Sequence, residues 1–202
     1  MKILHVDSSI SGDSSLSKEL SAIAVANLRT IYPDAEVLYR DLVGNPINHL
    51  TGPIFAGFED RELANADEAL QGEHRLSEQL VDEFLACNIL VIGAPMYNFS
   101  IASQLKAWLD RIAQVGRTFN YTEHGTVGLA GGKCVIVVSV CGGFYSHGPM
   151  APMDFQEPYL QSFFKFLGIT DLRFVRAEGA LKGELERSEG IKVAKAALSR
   201  IY

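Results

Sequence analysis

Five short apolar runs, which alternate with segments of helical spacing, set the strongest limit on how this 202-residue chain can fold. The runs span residues 3–6, 37–39, 89–92, 135–140 and 172–175. They are unbroken rather than alternating, which is typical of parallel strands that helices cover on both faces. Repeated β-α units of this kind predict an α/β fold with a doubly wound, five-stranded parallel sheet in the order 2-1-3-4-5.

Three long irregular stretches, residues 43–66, 115–132 and 142–155, interrupt this pattern. No internal repeat, low-complexity segment or linker divides the chain, so we predict one domain over residues 1–202. In doubly wound sheets, ligands bind beyond the carboxyl ends of the strands. The segments directly after the first, third and fourth predicted strands are therefore the candidate ligand-binding loops.

Charge and cysteine content argue against several classes of function. The net charge is −6 and the Lys and Arg residues are scattered, whereas nucleic-acid binding needs clustered cations. Cys87, Cys134 and Cys141 are odd in number and form no CxxC pair, which indicates reduced thiols and no metal site. The amino terminus lacks the apolar core of a signal peptide, and no apolar run reaches membrane-spanning length. We expect a cytoplasmic protein without nucleic-acid or membrane partners.

The loop after the first strand, residues 7–17, carries six serines where a helix begins. A helix amino terminus offers free N–H groups and a partial positive charge, and both favour a phosphate. The loop has neither the GxGxxG pattern of dinucleotide sites nor the lysine of a P-loop, so the serines predict a site for a single terminal monophosphate. The alternative is that the serines only cap the helix.

The segment after the third strand is unusually apolar for a loop. Pro95 cannot donate a hydrogen bond within a sheet, so the strand ends there, and Met96, Tyr97 and Phe99 follow. These side chains could form the rim of a site for a planar heterocycle, with Asn98 as donor and acceptor to its polar edge. The alternative is that they cap the hydrophobic core.

The segment after the fourth strand contains Val140, Cys141, Gly142 and Gly143. The two glycines allow the backbone to approach a flat ligand closely. Cys141 has two interpretations, namely a small buried thiol beside the ligand or the nucleophile of a hydrolase, paired with His147. The sharp GxSxG turn of such hydrolases, or a cysteine counterpart of it, is absent.

Motifs along almost the whole chain resemble those of one enzyme family. They are Ala94-Pro95-Met96-Tyr97-Asn98-Phe99, Gln104-Leu105-Lys106 with Asp110, Arg40-Asp41-Leu42 with Asn45-Pro46-Ile47, Thr118-Phe119 with Tyr121-Thr122-Glu123, Gly142-Gly143, Pro158-Tyr159-Leu160 with Phe163, Gly168-Ile169-Thr170-Asp171 and Ala177-Glu178-Gly179. In these motifs and in their order the chain is similar to the bacterial FMN-dependent NADH-azoreductases, which are NAD(P)H:quinone oxidoreductases related to DT-diaphorase.

The resemblance implies a flavodoxin-like three-layer fold, a homodimer and one non-covalently bound FMN per subunit. It also implies a ping-pong, two-electron transfer from NADH or NADPH through FMN to a quinone or an azo compound. It places the FMN phosphate on Ser9, Ser15, Leu16 and Ser17. It places the flavin ring on Pro95, Met96, Tyr97, Asn98, Phe99, Val140, Cys141, Gly142 and Gly143.

The resemblance also bears on the substrate. It places the substrate pocket on Phe119, Tyr121 and Phe163, the last on a helix whose surplus of apolar surface favours a contact across the dimer. Because FMN carries out the chemistry, no obligatory catalytic pair is expected. Tyr145 and His147 are candidate proton donors to a quinone, and His147 is equally well explained as a surface residue.

Two features bear on the choice of substrate. Many relatives carry a Ser-Arg pair before the two glycines, whereas this chain has Val140 and Cys141, so a cation beside the flavin is lost. Charges such as those of Glu59, Asp60 and Glu62 usually form a solvated face, but they would disfavour the extra phosphate of NADPH if they border the nucleotide; Arg61 keeps NADPH possible. A rival hypothesis is a flavodoxin-type electron carrier without a substrate pocket; the three irregular stretches favour an enzyme.

Overall fold

The structure is a computed structural model that describes residues 1–59 and 66–201. A central parallel sheet contains five strands, and a separate antiparallel hairpin contains two. The sheet strands are β1 (Lys2–Asp7), β2 (Glu36–Asp41), β3 (Ile89–Pro95), β6 (Cys134–Val140) and β7 (Asp171–Ala177), and the hairpin strands are β4 (Phe119–Thr122) and β5 (Gly125–Gly128). The helices are α1 (Leu16–Ile31), α2 (Gly52–Glu59), α3 (Glu68–Ala86), α4 (Ser103–Ile112), α5 (Gln156–Phe166) and α6 (Glu184–Leu198).

The sheet strands lie in the order β2-β1-β3-β6-β7, and every neighbouring pair is parallel. The hairpin takes no part in the sheet, so the order is 2-1-3-4-5 when only the sheet strands are numbered. The predicted order is confirmed. The winding of the chain reverses between β1 and β3, and the carboxyl ends of these two strands therefore form the switch point where ligands bind in such sheets.

Successive residues of β3 face opposite sides of the sheet and pack against different helices. Ile89 and Val91 pack with residues of α1 and α6. Leu90 and Ile92 pack with residues of α3, α4 and α5. The sheet is thus the middle layer between two layers of helices, which confirms the flavodoxin-like three-layer fold. All seven residues of β3 are buried, as expected for a central parallel strand.

The edge strand β2 differs from the expectation that helices cover both faces of every strand. It pairs on one side only, with β1. Leu38 and Tyr39 are exposed, although they belong to the apolar run from which the strand was predicted. A short unbroken run of apolar residues therefore did not distinguish an edge strand from a central one.

Two of the predicted irregular stretches contain regular structure. Helix α2 lies within residues 43–66 and begins with Gly52 and Pro53, residues of low helix propensity. Proline is tolerated in the first turn because its missing N–H would have no partner there. The β4–β5 hairpin lies within residues 115–132, and its strands have only four residues each. Strands this short show too little alternation to be predicted.

The hairpin lies at the edge of the sheet where β6 and β7 begin, opposite the carboxyl ends of the strands. The N–H of Ala130 donates to the carbonyl of Leu167, four residues before β7, at 2.9 Å. A Cβ atom on Gly128 would lie 2.0 Å from the backbone nitrogen of Gly168, so only glycine permits this contact. The hairpin is therefore fixed to the turn between α5 and β7.

Candidate functional site

The serine-rich loop joins β1 to α1 and covers the amino terminus of that helix. Ser15 is the N-cap of α1, and its side-chain oxygen accepts a hydrogen bond from the N–H of Lys18 at 3.2 Å. The hydroxyl oxygens of Ser15 and Ser17 lie 3.1 Å apart, and both residues are buried. Capping thus accounts for Ser15. The N–H groups of Leu16 and Ser17 remain as donors for an anion, and so does the Ser17 hydroxyl when the Ser15 hydroxyl donates to it.

A buried polar network lies beneath this loop. The Asp7 carboxylate accepts hydrogen bonds from the hydroxyls of Ser21 at 2.8 Å and Tyr39 at 3.1 Å. The Nε2 atom of His5 lies 2.9 Å from the same Ser21 hydroxyl. Burial and the Asp7 carboxylate raise the pKa of Tyr39, so its hydroxyl stays protonated and remains a donor. The network holds β1, β2 and α1 together directly below the serines.

The segment after β3 forms a tight turn with two residues in left-handed conformations. Tyr97 and Ser100 exchange backbone hydrogen bonds of 2.9 and 3.1 Å. Asn98 and Phe99 at the centre have φ angles of 47° and 71°, as in a type I′ turn. Glycine and asparagine favour such positions, whereas phenylalanine there costs about 1–3 kcal/mol. Backbone strain of this kind concentrates at functional sites.

Tyr97 connects the serine-rich loop to this turn. Its hydroxyl lies 3.4 Å from the hydroxyl of Ser9 and accepts a hydrogen bond from the N–H of Ile10 at 3.2 Å. The Ser9 hydroxyl in turn accepts a hydrogen bond from the N–H of Ser11 at 3.2 Å. The loops after β1 and β3 therefore form one continuous surface.

The segment after β6 reaches the same edge of the sheet. The carbonyl oxygens of Cys141, Gly142 and Gly143 accept hydrogen bonds of 2.9 to 3.1 Å from the N–H groups of residues 179–181. The N–H groups of Gly142 and Gly143 have no acceptor in the described part of the chain. They are therefore free to donate to a ligand.

A cleft of about 360 Å³ opens between the turn after β3 and the segment after β6. Its lining consists of Met96, Asn98, Phe99, Gly142, Gly143, Tyr145, Leu181 and Lys182. The ring centroid of Tyr145 lies 6.2 Å from that of Phe99, in an edge-on arrangement. A Cβ atom on Gly143 would lie 3.2 Å from the Tyr145 ring, so glycine leaves the cleft open there. The size and the mixed lining suit a planar organic ring.

Comparison with known proteins is consistent with this arrangement. The family model described as a flavodoxin-like fold matches residues 1–201. The chain belongs to the flavodoxin-like fold family. This flavodoxin-like chain is 53% identical over 201 residues to the FMN-dependent NADH:quinone oxidoreductase 2 of Xanthomonas euvesicatoria pv. vesicatoria, a match that covers 100% of the chain and 93% of that protein.

A second relative and a solved structure give the same result for the fold. The chain is 54% identical over 198 residues to the FMN-dependent NADH:quinone oxidoreductase of Ralstonia nicotianae. The aligned region covers 98% of the chain and 95% of that protein. The crystal structure of azoreductase from Bacillus anthracis matches with a TM-score of 0.90 over 100% of the chain and 98% of that structure. At 24% identity, this last match concerns the architecture alone.

Leu181 and Lys182 line the cleft of this flavodoxin-like protein but were not predicted from its sequence. They follow β7, and the N–H of Leu181 donates to the carbonyl of Gly142 at 3.0 Å. The rule for doubly wound sheets pointed to the segments after the first, third and fourth strands. The segment after β7 folds back over its neighbour β6, and we find no sequence motif that indicates this.

The structure brings part of the predicted ring-binding set to the cleft. Met96, Asn98, Phe99, Gly142 and Gly143 line it. The other predicted ring-binding residues take different places: Pro95 is the buried last residue of β3, the Tyr97 hydroxyl contacts the serine-rich loop, and the side chains of Val140 and Cys141 are buried. These four residues do not line the cleft, and their contact with a flavin ring stays a prediction.

The predicted aromatic substrate residues lie away from the cleft of their own chain. Phe119 and Tyr121 belong to the hairpin, and the ring centroid of Phe119 lies 4.5 Å from that of Phe166 near the end of α5. Phe163 packs on Phe164 with centroids 5.5 Å apart. Phe119 and Tyr121 thus lie at the opposite edge of the sheet, and Phe163 is not among the residues that line the cleft.

Of the two candidate proton donors, Tyr145 lines the cleft and His147 does not. His147 is exposed, and its Nδ1 atom lies 2.9 Å from the hydroxyl of Ser146. It borders a neighbouring cleft together with Glu186 and Glu189. The interpretation of His147 as a surface residue therefore fits this position better.

Cys141 lies in a buried and poorly reactive environment. Its side chain is 1% exposed, and its Sγ atom is 4.0 Å from the side-chain oxygen of Gln156. Gln156 is itself fully buried and donates to the carbonyl of Ala94 at 3.0 Å, which ties the ends of β3 and β6 to α5. Burial raises the pKa of the Cys141 thiol to about 12. This environment disfavours a nucleophile, which needs the thiolate at neutral pH.

Cys141 is accordingly expected to resist alkylation in the folded protein. With a pKa of about 12, the thiolate at pH 8 amounts to about one part in ten thousand, and burial also blocks the reagent. Labelling with iodoacetamide, followed by peptide mass spectrometry, should modify Cys141 only after unfolding in urea. Rapid labelling of the native protein at pH 8 would contradict this assignment and support the hydrolase interpretation.

The segment that carries Tyr145 is held by the side chain of Glu178. One carboxylate oxygen accepts hydrogen bonds from the N–H groups of Tyr145 at 2.6 Å and Ser146 at 2.8 Å, and the other accepts one from the Ser146 hydroxyl. Arg176 lies between Glu178 and two further carboxylates, those of Asp154 and Glu157. Burial alone would raise the pKa of Glu178, but these hydrogen bonds lower it below its usual value.

Glu178→Gln is expected to loosen this segment, because an amide replaces a carboxylate that accepts three hydrogen bonds. We expect a loss of about 1 kcal/mol in the free energy of unfolding and about fivefold faster hydrogen exchange at the amides of Tyr145 and Ser146. The pKa of Glu178 is lower in the folded protein than in the unfolded chain. Its contribution to the free energy of unfolding is therefore present above the unfolded-state pKa and is lost as the pH falls through the folded-state pKa. Glu189→Gln, on the exposed face of α6, is the control; equal exchange in both variants would refute the role of Glu178.

The remaining predictions concern metal binding, membrane spans and the choice between NADH and NADPH. Within residues 1–59 and 66–201, no group of three or more His, Cys, Asp or Glu side chains is arranged to hold a metal ion. In the same ranges, no helix combines the length and apolar character needed to cross a bilayer. Asp60, Arg61 and Glu62, which bear on the choice between NADH and NADPH, lie outside the described residues. Their influence stays a prediction.

Proposed function

We propose that this chain is an FMN-dependent NADH:quinone oxidoreductase that also reduces azo compounds. Relatives that share more than half of its residues are named for the quinone reaction, and the motifs around residues 94–99 resemble those of the azoreductases. The observation that carries the proposal is the continuous surface that Tyr97 creates. It joins a site for a phosphate, at the serine-rich loop, to a cleft for a planar ring.

The phosphate of FMN would bind to Ser9, Ser15, Leu16 and Ser17. The site offers side-chain hydroxyls, backbone N–H groups at the start of α1 and the positive end of its dipole, all of which favour an anion. A dinucleotide would need room for a pyrophosphate and an adenosine, and the loop lacks the glycine pattern that provides it. A mononucleotide therefore fits this loop best.

The flavin ring would lie in the cleft between Phe99 and the two glycines. The free N–H groups of Gly142 and Gly143 would donate to the polar edge of the ring, where they favour negative charge. Asn98 lines the same cleft and can donate and accept hydrogen bonds along that edge. The strained turn brings both Asn98 and Phe99 to the cleft, and a role in holding the ring would explain a strain that otherwise only reduces stability.

We infer a ping-pong order, in which donor and acceptor would occupy the cleft beside the ring in turn. Bound FMN would supply the ring that accepts and then delivers a hydride. Tyr145 lines this cleft and is the side chain that we place beside the acceptor, as a hydrogen-bond or proton donor.

We propose that the functional unit is a homodimer of single-domain chains. Phe119, Tyr121 and Phe163 do not line the cleft of their own chain, and a second copy would be the way for them to reach a ring. Tyr121 is 67% exposed, which is unusual for a large aromatic side chain without a partner surface. We also propose a cytoplasmic location, which the three free cysteines support.

Turnover of NADH with benzoquinone by FMN-loaded protein tests the proposed function. The account predicts parallel lines in double-reciprocal plots at several quinone concentrations, as a ping-pong order requires. It also predicts that FMN-free protein is inactive until FMN is added. Protein that binds FMN but does not oxidise NADH in the presence of quinone would instead support a flavodoxin-type electron carrier.

A further inference from the structure

The lining of the cleft carries a single charge among the residues that the structure describes. The other lining residues, Met96, Asn98, Phe99, Gly142, Gly143, Tyr145 and Leu181, are uncharged. Lys182 is the exception, and it stands at the exposed rim. Among these lining residues, the electrostatic character of the cleft therefore depends on Lys182.

The backbone holds Lys182 at the rim. Its N–H donates to the carbonyl of Gly179 at 3.0 Å, which closes a turn. The preceding Leu181 is bonded to Gly142, and Gly179 is bonded to Gly143 at 2.9 Å. The Lys182 backbone is therefore tied, through its neighbours, to the two glycines that form the floor of the cleft.

The Lys182 ammonium makes no ion pair in the described part of the chain, although one Glu186 carboxylate oxygen lies 2.6 Å from the position of a Cβ atom on Gly183. The carboxylate of Glu178, four residues earlier, accepts a hydrogen bond from the N–H of Tyr145 and pairs with Arg176. Glu186 borders the separate cleft beside His147. An unpaired cation at the mouth of an otherwise uncharged site attracts an anionic group of a bound molecule.

The geometry points to Lys182 as the residue that selects substrates with an anionic group, and this inference rests on the proposed function. A sulfonate or carboxylate on the electron acceptor has the required chemistry, and so does the diphosphate of NADH. Lys182 would contact this group at the rim while the reacting part of the molecule lies over the ring. Its role is to determine specificity, and it takes no part in hydride transfer.

The two half-reactions of the FMN-loaded enzyme distinguish the two sources of the anion. For the acceptor, the rate constants of re-oxidation by benzoquinonesulfonate and by neutral benzoquinone are compared in stopped-flow experiments. For the donor, reduction by NADH is compared with reduction by neutral N-benzyl dihydronicotinamide. The variants are Lys182→Gln and Lys182→Glu. Lys192→Gln, which removes an exposed lysine of α6 that does not line the cleft, is the control.

We define the preference as the ratio of the rate constants for the anionic and the neutral molecule. We expect Lys182→Gln to lower it about two- to fivefold in at least one half-reaction, which is the size of effect expected from the loss of an exposed ion pair. Lys182→Glu should lower it further, and the difference should shrink at high salt. As a readout independent of turnover, the Kd of naphthalenesulfonate, followed by the flavin absorbance, should rise by the same factor. The Kd of neutral naphthol should not change.

Unchanged preferences in both half-reactions, with an unchanged Kd for naphthalenesulfonate, would overturn the role of Lys182. An equal loss in the Lys192→Gln control would also overturn it, because net charge would then explain the effect. Failure of the proposed function would give a different result, because the unmodified protein would then not reduce even neutral benzoquinone. The ratio of the rate constants for the anionic and the neutral molecule cancels any general effect of Lys182 on the reduction potential of the flavin.

Discussion

Gly93→Ala is expected to lower the free energy of unfolding by about 3 kcal/mol. Gly93 lies in the centre of the sheet at the level of the serine-rich loop. A Cβ atom there would stand 2.1 Å from a carboxylate oxygen of Asp7 and 3.2 Å from the backbone oxygen of Ser17. Asp7 cannot move aside freely, because it is buried and holds the hydroxyls of Ser21 and Tyr39. The added methyl group must therefore displace β1 or α1.

The same substitution should also weaken FMN binding, since the start of α1 belongs to the proposed phosphate site. Urea denaturation of the FMN-free protein measures the first effect, and titration with FMN measures the second. Gly72→Ala is the matched control. It lies in α3, where the nearest atom to an added Cβ is 3.9 Å away, so the helix should gain about 0.5–1 kcal/mol. A Gly93→Ala protein as stable as the unmodified chain would contradict the packing described for β1, β3 and α1.

Ser17→Ala is expected to weaken FMN binding about 10- to 100-fold. A hydrogen bond to a charged group contributes about 1.5–3 kcal/mol, and each 1.4 kcal/mol corresponds to about a tenfold change in Kd. Ser17 is buried at the start of α1, and its hydroxyl lies 3.1 Å from that of the N-cap residue Ser15. Quenching of FMN fluorescence during titration of the FMN-free protein measures the Kd.

Ser14→Ala provides the control for this measurement. Ser14 belongs to the same loop, but it is exposed and its hydroxyl donates to the carbonyl of Ser11 at 2.8 Å. Its loss should change the Kd of FMN less than twofold, as for surface substitutions. If Ser14→Ala weakened FMN binding as much as Ser17→Ala, the loop would act only through its conformation, and the proposed phosphate contact would be incorrect.

Much of the fold could be predicted because the unbroken apolar runs, the strongest pattern in the chain, result from the burial of the strands. The run at residues 89–92 is apolar because both faces of β3 lie under helices, and that pattern alone indicates a parallel sheet. The predictions were less accurate where burial does not determine the sequence. Strand β2 is an edge strand with exposed apolar residues, and α2 begins with Gly52 and Pro53.

The site could be predicted where it follows directly from the carboxyl end of a strand. The serines and the turn after β3 meet through Tyr97 as that rule requires. Lys182 was missed because its position depends on how the segment after β7 folds over β6, which is a long-range contact without a local pattern. The left-handed conformation of Phe99 was missed because no glycine marks the turn.

A crystal structure of the FMN-loaded protein tests the central claim most directly. The account predicts the phosphate within about 2.7–3.2 Å of the Ser17 hydroxyl and of N–H groups at the start of α1. It predicts the flavin ring in the cleft, with its polar edge toward the N–H groups of Gly142 and Gly143. FMN bound at another surface, or a ring that lies outside this cleft, would contradict the account.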